Sequence, residues 1–157
     1  MMLSDSARKV QDALKHFCLT LRVVEMPQST RTAKDAAQAI GCTVAQIGKS
    51  IIFRGAQSGK AILVVASGVN RVDEKIIAAH TGEAIDKASA EFVREATGFV
   101  IGGVPPTGFA RPIETWIDED LLQFAEIWAA AGTPSAVFAL TPAELLRITA
   151  GRTIKVH

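Results

Sequence analysis

Lys49 stands in the stretch Gln46-Ile47-Gly48-Lys49-Ser50-Ile51-Ile52-Phe53, where a helical segment gives way to an apolar, β-branched run. That run predicts a strand over residues 49–54 with Lys49 at its mouth. A long cation there must reach solvent, pair with an acid or face a pocket. Two other stretches hold residue types suited to chemistry. One is the polar loop Gln28-Ser29-Thr30-Arg31-Thr32. The other is Gly102-Gly103-Val104-Pro105-Pro106-Thr107-Gly108, where three glycines and two prolines fix an unusual backbone. Amides of a Gly-rich loop can polarise a carbonyl, and a lysine can stabilise developing negative charge. The set suits a hydrolase with no side-chain nucleophile of its own. Residue types alone leave a plainer reading open, in which Lys49 is a solvated strand end and loop 102–108 a rigid turn.

Other chemistries are harder to support. Gly48-Lys49-Ser50 imitates the end of a phosphate-binding loop, but that motif needs glycine where Thr43 stands. It also needs a helix after the lysine, with its N-terminus facing the phosphates, whereas the helical segment here comes before it. No G-x-S-x-G elbow occurs, and the three histidines, His16, His80 and His157, have no metal-ligand spacing. Asp118, Glu119 and Asp120 read as a helix start rather than an acid–base pair.

With 157 residues, 48% hydrophobic and 21% charged, the chain has the composition of one globular domain with a sizeable core. Its net charge of +1 means that any nucleic-acid contact must come from a local patch, with Arg31, Lys34, Arg54 and Arg71 as candidates. Cys18 and Cys42 lack C-x-x-C spacing and read as reduced, largely buried thiols. The start, Met-Met-Leu-Ser-Asp, has no apolar run of signal length, and no segment approaches the roughly 20 apolar residues of a membrane span. A soluble, cytoplasmic protein is expected.

The elements that must position these stretches follow in order. Ser4 or Asp5 caps a helix whose Ala7, Val10, Leu14 and Phe17 share one face. A strand over 21–26 stops at Pro27, and Thr32 caps a helix ending at Gly41. Thr43 and Gln46 frame a short turn before the strand at 49–54, which forms a hairpin with 61–66. Helices follow over 73–80 and 89–97, then the short apolar segment 99–101. A strand over 114–117 leads to an Asp118-capped helix holding Leu121, Leu122 and Phe124. Further strands are read over 126–130 and 135–140. Thr141-Pro142-Ala143-Glu144 starts a helix ending at Gly151, and 153–156 is a last strand. Strands and helices mix without strict alternation, so the fold class is α+β, a single domain with a mixed sheet.

The order and spacing of several stretches resemble the YbaK-type proteins related to the editing domain of bacterial prolyl-tRNA synthetase. They are Thr30-Arg31-Thr32, Ile40-Gly41, Gln46-Ile47-Gly48-Lys49-Ser50, Val72-Asp73-Glu74-Lys75, residues 97–108, Trp116-Ile117-Asp118 and Ala130-Ala131-Gly132. The resemblance covers nearly the whole chain, 1–157. It implies a barrel-like mixed sheet surrounded by helices, and a trans-editing deacylase that hydrolyses the ester of a mischarged tRNA, most often tRNA(Pro). Its partners would be aminoacyl-tRNA and prolyl-tRNA synthetase, with no membrane and no cofactor. By this resemblance Lys49, Gly102 and Gly103 are catalytic, with the tRNA's own terminal hydroxyl assisting the water. Thr30, Arg31, Thr32, Val104, Pro105, Pro106, Ala130, Ala131 and Gly132 would bind substrate. Two departures concern the pocket. Cysteine-specific members resemble Ser-Gly-Gly where Ala130-Ala131-Gly132 stands, and some carry an aromatic where Thr32 stands. Alanine-specific members have a polar motif where Pro134-Ser135-Ala136-Val137-Phe138 stands. An apolar lining of this kind suits a small residue such as alanine, cysteine or 2-aminobutyrate. A non-catalytic tRNA- or synthetase-binding module on the same fold is the alternative.

Overall fold

Capping chemistry and amphipathic spacing set the helices locally. In the computed structural model, which describes residues 3–157, α1 (Asp5–Lys15) begins where Ser4 accepts a hydrogen bond from Ala7 N–H. Its Ala7, Val10 and Leu14 are fully buried. Thr32, Asp73, Ser89 and Thr141 cap α2 (Ala33–Ile40), α3 (Glu74–Thr81), α4 (Ala90–Thr97) and α5 (Pro142–Thr149) through their side chains. Thr43 and Gln46 form a capping box around a 3-10 turn, Val44–Gln46. The α5 cap is Ala150, left-handed at φ 52°, rather than Gly151.

Eight strands form one mixed sheet: β1 (Val23–Glu25), β2 (Ile47–Gly55), β3 (Ala61–Ser67), β4 (Ile85–Lys87), β5 (Glu114–Asp118), β6 (Ile127–Ala130), β7 (Ala136–Leu140) and β8 (Arg152–Ile154). The main path runs β1-β7-β6-β2-β3-β5-β8, and β4 joins the far end of β2. Pairs β1–β7, β6–β7, β2–β3 and β2–β4 are antiparallel, while β2–β6, β3–β5 and β5–β8 are parallel. This is the α+β class with a mixed sheet that the sequence predicts.

The near-continuous apolar run of β3 marks a strand covered on both faces. Leu63 and Val65 join a large cluster with α1, Phe99, Val104 and Leu145, while Ile62, Val64 and Ala66 join Phe53, Ile77 and Trp116 on the opposite face. A third group, Ala36, Ala37 and Ile47, packs α2 onto the start of β2. At the end of β5 the buried Asp118 carboxylate accepts from Ser67 N–H (2.9 Å), Asn70 Nδ2 (2.8 Å) and Asp120 N–H (2.9 Å). It therefore caps the expected turn and also ties that turn to β3.

Several local expectations are corrected. Lys49 is not at the mouth of its strand, because β2 already begins at Ile47, where its pairing with β6 starts. Strand β1 is shorter than 21–26, since Gln11 hydrogen-bonds Leu21 C=O and Val23 N–H, each at 2.8 Å. Strand β4 has no counterpart in the sequence reading; three residues, two of them charged, form a strand only because β2 pairs with them. The segment after Asp118 is a 3-10 helix, Glu119–Gln123, burying Leu121 while Leu122 is exposed. Cys18 is exposed rather than buried, just past α1, and neither cysteine is bonded to the other. Among the described residues no helix is long and apolar enough to cross a membrane.

Because Leu63 is fully buried between packed layers, Leu63→Ala should cost about 2–5 kcal/mol in urea unfolding. Val69→Ser, at a position 62% exposed, should stay within about 0.5 kcal/mol.

Candidate active site

The site begins with how β2 shares its outer edge. Gly68 N–H donates to Ile47 C=O at one end, and Gly55 N–H donates to Lys60 C=O at the other, so odd-numbered residues of β2 bond toward β3. Even-numbered residues consequently turn their backbone groups to the opposite edge. There Ile47 and Gly48 pair with Trp128 and Ala129 of β6, while Phe53, Arg54 and Gly55 pair with Lys87, Asp86 and Ile85 of β4. Ser50 belongs to neither ladder, and its N–H and C=O face the interval between β4 and β6. Side chains alternate, so Ser50 lies on the face of Ile52 and the large core, and Lys49 on the face of Ile51 and Phe53.

Three loops distant in sequence close around this interval. Thr30 donates to Pro134 C=O from its N–H (2.6 Å) and from its hydroxyl (3.1 Å). Gly132 N–H donates to Gly103 C=O at 2.8 Å, joining loop 130–135 to the glycine-proline loop. The contact between them leaves no room for a side chain, since a Cβ on Gly103 would lie 2.8 Å from Thr133 backbone atoms. Gly102 adopts φ +91°, and a Cβ there would meet Arg31 Cγ at 2.5 Å. At its root the loop is held by the buried Phe99 and by Thr97, whose hydroxyl bonds Val93 C=O at 2.7 Å.

The result is a cleft of about 280 Å³ beside β2. Of the residues expected to bind or react, Thr30, Arg31, Thr32, Lys49, Gly102, Val104 and Ala130 line it. Gly103, Pro105, Pro106, Ala131 and Gly132 are buried behind the wall instead. The sequence reading did not single out Ile47, Gly48, Ser50, Ile101 or Trp128 as lining, nor Ala33 and Ala36 of α2. The alternation along β6 and the small-residue face of α2 were the available signals. A second cleft of about 370 Å³ lies across the β2 edge, with Ile51, Phe53, Arg71, Glu74, Lys87 and Val93 on its walls. Both clefts include Lys49, Ser50, Ile101, Gly102 and Val104, so they meet at the open interval. Of the proposed basic patch, Arg31 and Arg71 reach the clefts, Arg54 lies over the Phe92 ring at 5.4 Å, and Lys34 is exposed on α2. Lys87 is a further cation at the rim.

Residues 27–148 match the aminoacyl-tRNA editing domain, well over half of the chain. The chain belongs to that family. The editing domain is 37% identical over 123 residues to the uncharacterized protein YwhH of Bacillus subtilis, covering 78% of each chain. It is 22% identical over 121 residues, 77% of this chain and 74% of the other, to EbsC of Enterococcus faecalis, named as a candidate Cys-tRNA(Pro)/Cys-tRNA(Cys) deacylase. A crystal structure described as a candidate trans-editing enzyme for prolyl tRNA synthetase superposes with TM-score 0.93 at 49% identity, covering 99% and 98% of the two chains.

Electrostatics at the editing domain's cleft are one-sided. Lys49 is half-buried, and burial pushes its ammonium below the ordinary lysine value, partly offset by the Asp118 carboxylate. Among the described residues the one ion pair joins His157 to Asp120, so Lys49 has no partner within salt-bridge distance. Among the described residues no Asp, Glu, His or Cys lines the first cleft. Gly103 N–H already donates to Val100 C=O (3.0 Å), whereas the amides of Gly102 and Val104 have no acceptor among the described residues. A cation and two available amides therefore border one small apolar space.

Gly103→Ala should force the 102–108 and 130–135 loops apart at Thr133. We expect a loss of about 1–3 kcal/mol in chemical denaturation, the usual scale for overpacking. Gln57→Ala, exposed in the turn between β2 and β3 and distant from the cleft, serves as the comparison.

Proposed function

We propose that this editing domain acts in trans on mischarged aminoacyl-tRNA, hydrolysing the ester between a small noncognate amino acid and the terminal ribose. The observation that carries this reading is that Lys49 and the residues with unengaged amides, Gly102 and Val104, line one cleft, which among the described residues has no acid, imidazole or thiol. Such a site has donors for an oxyanion but no carboxylate or imidazole to activate the hydroxyls of Thr30, Thr32 or Ser50 as nucleophiles. An aminoacyl ester is already activated, so orientation and carbonyl polarisation can suffice, with water as the attacking group. The substrate's vicinal ribose hydroxyl is the group best placed to orient that water. Losing one oxyanion donor typically costs about 2.7–4 kcal/mol of transition-state stabilisation.

The cleft also supports a substrate class. Ile47, Val104, Trp128, Ala129, Ala130 and Val137 give a wall of apolar groups around about 280 Å³. Alanine, cysteine and 2-aminobutyrate fit that chemistry; apolar contacts separate neighbours differing by one methylene by only about 1–3 kcal/mol. Arg31 beside the first cleft and Arg71 and Lys87 beside the second offer contacts to terminal phosphates. The names of the Enterococcus relative and of the superposed structure favour tRNA(Pro), with prolyl-tRNA synthetase as the source of the mistake.

The test is a panel of tRNA(Pro) charged with alanine, cysteine, 2-aminobutyrate or proline. Release of at least one noncognate residue well above the spontaneous rate is expected, with prolyl-tRNA(Pro) spared; no release from any would refute the reading. Lys49→Ala should lower kcat/KM at least about 100-fold, consistent with the loss of an electrostatic stabiliser, with an unchanged Tm. For pH, the protonated lysine is the active form and its pKa lies below 10.5. Background-corrected activity should therefore fall on the alkaline side before that value, and Lys49→Arg should move the fall to higher pH.

A further inference from the structure

Ser50 carries an observation that the proposed chemistry does not use. Among the described residues its hydroxyl is the one buried side-chain oxygen or nitrogen without a hydrogen-bond partner. A buried polar group left unpaired is costly in the free protein. The same residue lies in the stretch of β2, residues 49–52, that neither β4 nor β6 pairs, and its even-numbered place turns its backbone groups toward that edge. Its N–H and C=O open onto the junction of the two clefts, both of which it lines. Three polar groups of one residue are thus left for something that arrives.

A strand residue whose two backbone groups face an empty edge accepts one complementary residue, which exchanges both hydrogen bonds with it. An aminoacyl ester has that complement: an α-amine that donates and a carbonyl that accepts, separated by one Cα. We propose that the aminoacyl group of the substrate docks on Ser50 as a one-residue β-bridge between β4 and β6. The α-ammonium donates to Ser50 C=O and Oγ, and the ester carbonyl accepts from Ser50 N–H. The absence of carboxylates from the first cleft agrees with this, because the ammonium is then met by neutral acceptors instead of an acid. Ser50 is a positioning residue in this scheme: it sets where the carbonyl lies relative to Lys49 and the loop amides. The inference rests on the deacylase reading and adds the docking mode and the requirement for a free α-amine.

The experiment crosses enzyme and substrate changes. Wild type, Ser50→Ala and Ser50→Thr are assayed on alanyl-tRNA(Pro) and on the same tRNA esterified with propionate, which lacks only the amine. Ser50→Ala should lower kcat/KM on the alanyl ester on the order of tenfold to a hundredfold, the scale of a hydrogen bond to a charged group. On the propionyl ester it should change within about threefold, the loss having no ammonium to act through. Ser50→Thr, which keeps the hydroxyl, should restore the preference for the amine. Tm should be unchanged or raised in Ser50→Ala, since an unpaired buried hydroxyl is removed. Equal losses on both esters, or no loss on the alanyl ester, would overturn the docking mode while leaving the deacylase reading intact. A wild-type protein that cleaves neither ester, nor the cysteinyl or 2-aminobutyryl ester of the same tRNA, would overturn both.

Discussion

The outer edge of β2 is divided between two strands that run in opposite directions. Parallel β6 takes Ile47 and Gly48, antiparallel β4 takes residues 53–55, and the backbone between them is left open on that edge. From the last residue paired with β6 to the first paired with β4 is roughly 16 Å of strand. An open interval inside a sheet is costly unless something covers or uses it. Here it is bordered by loop 102–108 on one side and by α2 and β6 on the other. The clefts, the placement of Lys49 and the exposure of Ser50's backbone all follow from that division.

Rigidity around the interval comes from contacts too close for side chains. Gly103 lies against the Thr133 backbone, and Gly132 donates to Gly103, so loops 102–108 and 130–135 are held against each other. Thr30 joins the polar loop to the same unit through Pro134. Amides fixed in this way need little reorganisation when negative charge develops, which is the condition for electrostatic catalysis. Lys49 is kept on the other face by a strand paired along its length with β3, and Asp118, fully buried, is clamped by three donors. Its charge is thereby fixed at a place where it partly offsets the desolvation of Lys49.

Much of the fold was legible because its signals are local. Ser4, Thr32, Asp73, Ser89 and Thr141 each cap a helix through hydrogen bonds reaching no further than three residues along the chain. The hairpin of β2 and β3 follows from two apolar runs around a turn. Lys49 and loop 102–108 stood out by residue type, and both border the cleft. Strand β4 did not stand out, because nothing in Ile85-Asp86-Lys87 favours a strand without its partner. Ser50 looked like one more small residue in an apolar run, since its unpaired state depends on strands ending elsewhere.

The sequence by itself determined where the helices begin, most of the buried faces, the fold class and, through the order of its stretches, the family. Periodicity, caps and motif order are properties of neighbouring residues, and they survive without a third dimension. Tertiary structure decided which of the glycine-proline amides remain available, which expected residues face the cleft and which stand behind it, and where β2 lies unpaired. A turn bond to Val100 C=O engages the Gly103 amide and leaves those of Gly102 and Val104 available, Gly132 N–H reaches Gly103 C=O from far along the chain, and the pairings of β4 and β6 stop short of Ser50. Those pairings depend on register between strands, and register is set by packing of the whole sheet rather than by any stretch within it.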